Sequence, residues 1–154
     1  MRLALALPLL LASMLAATPA SASAPGTLVI PTKHAFSVLV DRLDSAIKEA
    51  GMFAVTRASA SAGARRRGVQ IAGNLVVGVY RNDFAVRMLE ASVESGIEAP
   101  IRFYITENAN GTATLRYRTP SAVFAPYDGG TKLKDMAREL DTIFEKIAKQ
   151  AAGR

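Results

Sequence analysis

"PIRFYITENANGTATLRYRTP", Pro100–Pro120, decides the fold. Ile101, Phe103 and Ile105 alternate with Arg102, Tyr104 and Thr106; beyond Asn110-Gly111, Leu115 and Tyr117 alternate with Thr114, Arg116 and Arg118. Successive side chains of a strand point to opposite faces, so each run reads as a half-buried strand and the two together as a hairpin. Two registers compete. A tight two-residue Asn-Gly turn would set Ile105 opposite Arg116 and mix apolar with charged side chains on one face. A three-residue loop, Ala109-Asn110-Gly111, instead sets Ile105 opposite Leu115, Phe103 opposite Tyr117, Tyr104 opposite Arg116 and Arg102 opposite Arg118. A one-residue slip turns every side chain to the other face, so burial selects the second register, with Gly111 at positive φ.

The apolar face of that hairpin needs a cover, and the chain supplies helices for it. Phe36, Leu39, Val40, Leu43, Ala46, Ile47 and Ala50 recur at threes and fours, and Gly51 is a natural C-terminal stop. Leu133, Met136, Ala137, Leu140, Ile143, Phe144 and Ile147 trace a second stripe, with Thr131 as cap and Glu145–Lys149 as a favourable four-spaced pair. A third helix is expected over Asp83–Glu94, capped by Asn82, ended by Gly96, and turning Phe84, Met88 and Ala91 inward. Gly26–Ala35, "MFAVTR" and "NLVVGVY" (Asn74–Tyr80) read as further strands, the last a continuous apolar run suited to a central strand buried on both faces. "ASASAGARRRG" is ambiguous between a short helix and a loop, and "SAVFAPYDGG" reads as a linker. The expected fold is α+β, a two-layer sandwich with helices packed on one face of a mostly antiparallel or mixed sheet.

The chain opens "MRLALALPLLLASMLAATPASASAPG". Arg2 precedes an apolar run from Leu3 to Leu15, after which the residues become small and polar. That is the layout of a secretory signal peptide, whose apolar segment runs about 7–15 residues, where a membrane span needs about 20. Cleavage is expected after Ala22, since cleavage after Ala24 would leave Pro25 first. The expected division is therefore 1–22 signal peptide, 23–127 α+β domain, and 128–154 a linker with an amphipathic helix packing on the same domain. Loss of Arg2 lowers the formal charge from +6 to +5. The chain has no cysteine, which excludes a lipid anchor at a new N-terminal cysteine and any disulfide. The expected location is the periplasm or the cell exterior, with no membrane span after cleavage.

Chemistry-bearing motifs are few. No phosphate-cradling glycine loop and no serine-nucleophile elbow occurs, so neither a nucleotide cofactor nor a catalytic residue is assigned. His34 is the only histidine, and with no cysteine the usual zinc and copper sites are excluded. Glu90 with Glu94 and Asp41 with Asp44 are carboxylate pairs of the kind solvated helix faces produce constantly. Arg65, Arg66 and Arg67 form the densest basic run, but no aromatic lies between Phe53 and Tyr80 to stack bases. Export also removes nucleic acid as a partner, so this run reads as a solvated basic loop. The polar face of the hairpin is different: Arg102, Tyr104, Arg116 and Arg118 cluster across two strands, and like charges facing each other call for a neutralising group. Water and salt, an acidic residue, a second subunit or an anionic ligand would each serve.

The order of elements, with "FSVLVDRLDSAIKEAGM", "ASAGARRRGV" and "APIRFYITENANGTATLRYRTP", resembles the domain of unknown function 302 family over roughly Leu28–Tyr127. The helix from Thr131 onward looks like an extension of it. The resemblance implies a small α+β domain that pairs as a homodimer, and implies no established activity. The chain departs from the family pattern twice. Ser59, Ala60 and Ser61 stand where members often carry Asp-His-Ala, and Tyr80–Asp83 stands where members often carry Gly-Asn-Pro after the apolar strand. The leading expectation is an exported, non-enzymatic domain of the cell envelope that binds a partner protein or a small anionic molecule through Arg102, Tyr104, Arg116 and Arg118. The alternatives are an enzyme that works without histidine or cysteine, and a structural envelope protein.

Overall fold

The structure, a computed structural model, describes residues 23–154; the expected signal peptide and its cleavage site lie outside the described residues. Five strands form one antiparallel sheet: β1 (Thr27–Ala35), β2 (Phe53–Ala58), β3 (Asn74–Tyr80), β4 (Ile101–Glu107) and β5 (Thr112–Arg118), in the spatial order β1-β5-β4-β3-β2. Three long helices, α1 (Phe36–Glu49), α3 (Asn82–Ala91) and α5 (Gly130–Ala152), bear the buried stripes that cover one face. Two short helices, α2 (Ala60–Arg66) and α4 (Pro120–Phe124), fill the connections. The fold is the expected helix-covered α+β sheet.

The hairpin adopts the three-residue register. Phe103 pairs with Tyr117, Tyr104 with Arg116 and Ile105 with Leu115. The Asn108 amide donates to the Thr112 carbonyl at 2.7 Å, which closes the loop around Ala109, Asn110 and Gly111. Gly111 has φ +79°, a conformation that a Cβ would strain. Inward from the hairpin, Phe103 and Ile105 are fully buried, and Phe144 of α5 stacks on Phe103 with ring centroids 5.0 Å apart. Tyr117 completes the cluster at 5.0 Å from Phe103 and 6.1 Å from Phe144. Leu39, Leu43 and Ile47 of α1, with Met136, Leu140 and Ile147 of α5, continue this core on the same side of the sheet.

The C-terminal helix is anchored at its end as well as along its stripe. Arg42 of α1 donates from Nε to the Ala151 carbonyl at 2.7 Å and from Nη2 to the Gln150 carbonyl at 2.8 Å. Both carbonyls lie in the last turn of α5, where a cation opposes the helix dipole; that of Gln150 also accepts from the Gly153 amide at 3.2 Å. Gly51 ends α1 as expected: its φ is +68°, and the Met52 amide donates to the Ile47 carbonyl at 3.0 Å.

Several expected boundaries move, each for a local reason. "ASASAGARRRG" resolves as a helix because the Ser59 hydroxyl caps it, accepting from the Ala62 amide at 3.1 Å. Arg65 and Arg66 therefore stand in a last helical turn and Arg67 at its cap, where the basic run was expected in a loop; all three are exposed. The third helix begins at Asn82, with Arg81 rather than Asn82 at the cap, and stops at Ala91 instead of Glu94. There the chain turns extended at Ser92 and enters a short 3-10 turn, Glu94–Glu98, in which the buried Ser95 hydroxyl donates to the Ser92 carbonyl at 2.7 Å. The expected linker contains α4, with Thr119 as cap, Pro120 in the first turn, and Val123 and Phe124 buried. The last helix starts at Gly130 with Gly129 at its cap, so Thr131 caps nothing. β3 lies between β2 and β4 and is covered by helices on one face only; Val76 stays half-buried on the other.

Truncating the ring that joins α5 to the sheet tests this core. Phe144→Ala should lower unfolding stability by about 3–5 kcal/mol, the usual cost of deleting a buried aromatic ring. Urea denaturation followed by circular dichroism measures it, and a loss below about 1 kcal/mol would show that α5 is not anchored through this ring.

Candidate functional site

Because inner and outer residues alternate, the register that buries Phe103 and Tyr117 also turns Arg102, Tyr104, Arg116 and Arg118 toward the helix-free face. All four line one depression of about 220 Å³ at the end of the hairpin next to α4, together with Thr27, Glu98, Ile101, Tyr117 and Val123. Arg102 is exposed, Tyr104 is 39% exposed, and Arg116 and Arg118 are half-buried. The structure thus brings together every residue that the alternation singled out.

The guanidiniums are held differently. Arg118 donates from Nη2 to the Ala122 carbonyl at 3.1 Å and from Nε to the Pro25 carbonyl at 3.4 Å, tying β5 to α4 and to the segment before β1. Arg116 donates from Nη1 to the Thr106 hydroxyl at 2.6 Å. The Arg102 guanidinium makes no hydrogen bond among the described residues. None of the three forms an ion pair with a described carboxylate; the ion pairs lie elsewhere, as at Arg57–Asp44 and Arg81–Asp83, both 2.7 Å. A guanidinium has five N–H donors, so most of those facing the depression remain available to a guest.

Glu98 and Tyr127 escaped the sequence reading. The Tyr127 hydroxyl donates to Glu98 Oε1 at 2.8 Å, and that bond chiefly raises the Tyr127 pKa above the usual tyrosine value. Twenty-nine residues separate the partners, one in the 3-10 turn and the other beyond α4, so no local pattern connects them. Tyr117 belongs to both layers, its ring in the aromatic cluster and its edge in the depression. Burial, and then the carboxylates of Glu145 and Asp141, push its pKa up to about 12.

The remaining candidates are spread over the molecule. His34 is half-buried beside the C-terminus, where a Cβ on Gly153 would sit 3.3 Å from its Nε2. Asp44 is engaged by Arg57, and among the described residues no three His, Cys, Asp or Glu side chains gather as metal ligands. The two departures from the family pattern stand at opposite ends of β3. At its start the Asn74 side-chain oxygen accepts from the Ala60 amide at 2.8 Å, and the Ser59 and Ser61 hydroxyls lie 3.0 Å apart. At its end Arg81 grips Asp83 through two bonds, of 2.7 and 3.0 Å, and lies over the Phe84 ring at 4.4 Å. That grip holds Asp83 below its usual carboxylate pKa. A seven-residue strand, roughly 20 Å long, separates the two ends, so these residues form no common site.

The model of the family described as "Domain of unknown function DUF302" matches residues 28–151. The chain belongs to the DUF302 family. The matched span takes in α5, which lies inside the family domain rather than beyond it. Among solved structures, the chain is similar to the crystal structure of an uncharacterized conserved protein DUF302 from Bacillus stearothermophilus. The two share 16% identity with a TM-score of 0.70, over 82% of this chain and 99% of that one, a likeness of fold. No curated protein matches the chain.

Tyr117 gives the site a measurable alkaline signature. Its raised pKa favours the neutral phenol in the folded state, so its stabilising contribution is complete below about pH 10 and is lost as pH rises toward 12. Between those limits the wild type should lose about 2 kcal/mol relative to Tyr117→Phe, since a tenfold change in proton affinity corresponds to about 1.4 kcal/mol. Parallel urea denaturations at pH 8 and 11.5 measure the difference, and identical losses in both proteins would refute it.

Proposed function

We propose that this DUF302 protein is an exported, non-enzymatic binding domain of the cell envelope, and that it binds a small anionic molecule in the depression lined by Arg102, Tyr104, Arg116 and Arg118. One observation carries this reading: three guanidiniums share one concave site and none is neutralised by a described carboxylate. Planar guanidinium forks suit carboxylate or phosphate oxygens, and a depression of about 220 Å³ suits a small molecule. Export rests on the N-terminal sequence. Among the described residues no helix is long and apolar enough to cross a membrane.

The family resemblance adds a homodimer to this proposal. β2 is the element we assign to the pairing: it is an edge strand, exposed along its length, with Phe53 63% and Val55 50% exposed. That choice leaves the basic depression open, because β2 and β5 stand on opposite sides of β4.

Titration with inorganic phosphate, followed by calorimetry, tests the binding surface. The double variant Arg102→Gln/Arg116→Gln should stay folded, since neither side chain is in the core, and should bind at least about tenfold more weakly than the wild type. Equal affinity in both proteins would remove the basic face as the site. Intact-mass analysis of protein recovered from the producing cell should give a chain starting at Ser23, and light scattering should give a dimer. A retained Met1 overturns export, and a strict monomer at high concentration overturns the pairing.

A further inference from the structure

Glu98 is unexplained by anion binding alone. A site built only for an anion gains nothing from a carboxylate in its wall, since that charge repels the guest. Yet Glu98 lines the same depression as the three arginines, and Tyr127 fixes it there through Oε1. It has not collapsed onto its neighbours. No nitrogen of Arg102, Arg116 or Arg118 lies within 4.0 Å of its oxygens. Each guanidinium is engaged elsewhere or extended: Arg118 on two backbone carbonyls, Arg116 on Thr106, and Arg102 exposed. The depression therefore keeps opposite charges apart, with an apolar stretch of Ile101, Val123 and the edge of Tyr117 also in its lining.

We propose that the guest is a zwitterion with an apolar side chain, of the α-amino-acid class. This rests on the anion-binding reading of the same site and names the ligand class within it. The ligand carboxylate lies against the donor forks of Arg102 and Arg116, the pair not spent on backbone carbonyls. Its ammonium meets Glu98 Oε2, which has no partner among the described residues. Its side chain covers Ile101, Val123 and the edge of Tyr117. A volume of about 220 Å³ corresponds to roughly seven waters at about 30 Å³ each, room for a molecule the size of an aliphatic amino acid.

Calorimetry with L-leucine and 4-methylpentanoate, which differ only in the amino group, tests the assignment on protein processed and purified from the producing cell. Wild type should bind L-leucine at least about tenfold more tightly than 4-methylpentanoate, a difference of about 1.4 kcal/mol. Glu98→Gln should abolish that preference, weakening L-leucine and strengthening 4-methylpentanoate. Wild type that binds both equally, or prefers 4-methylpentanoate, overturns the zwitterion while the anion site stands. Wild type that binds neither overturns the zwitterion, and the phosphate titration of the double arginine variant then decides the anion reading separately. Should Glu98→Gln fail to fold, the wild-type preference alone decides, and Tyr127→Phe, which frees Glu98 from its anchor, should lower the preference without removing it.

Discussion

The stacking of Phe144 on Phe103, with Tyr117 alongside, is the contact on which the rest of this molecule depends. It joins the longest helix to β4, the central strand of the sheet. It also settles the register of the hairpin, because only a three-residue loop turns Phe103 and Tyr117 to the same side. Strand alternation does the rest. Once those rings face inward, Arg102, Tyr104, Arg116 and Arg118 must face outward, so the core and the candidate site are two faces of one hairpin.

Concentrating three guanidiniums on neighbouring strands has a cost, and the surroundings show how it is offset. Unfavourable cross-strand pairs cost roughly 0.2–1 kcal/mol each, whereas a hydrogen bond from a charged donor contributes about 1.5–3 kcal/mol. Arg118 is held by two backbone carbonyls and Arg116 by Thr106, so two of the three guanidiniums have fixed partners. Arg102, exposed to water, is screened. Arg118 accordingly acts as a clamp on α4 and the segment before β1, while the Arg102 side chain makes no hydrogen bond and Arg116 one among the described residues.

The basic run Arg65–Arg67 illustrates the opposite case. These residues hold more charge per length of chain than the hairpin does, yet they end a short helix on the surface. Adjacent side chains there diverge, and all three are exposed. Charge density along the sequence thus says less about where charges gather in the fold than alternation on facing strands does.

Much of the architecture was legible in the chain because it follows from periodicity. The hairpin register, the stripe of α5, the stop of α1 at Gly51 and the identity of the outward-facing arginines are all consequences of side-chain spacing, which the sequence itself states. The short helix α4, the early end of α3 at Ala91 and the cap of α2 were not, because they hang on single hydroxyls of Thr119, Ser95 and Ser59 finding particular partners. Least legible was the Glu98–Tyr127 pair, whose members meet only because the 3-10 turn and the segment after α4 converge at one end of the sheet. The sequence by itself determined which residues face the core and which face water, since alternation and helical spacing are properties of neighbours in the chain. Only the tertiary structure decided that one carboxylate, held by a tyrosine, stands beside three guanidiniums without an ion pair, since that depends on distances between segments that share no spacing.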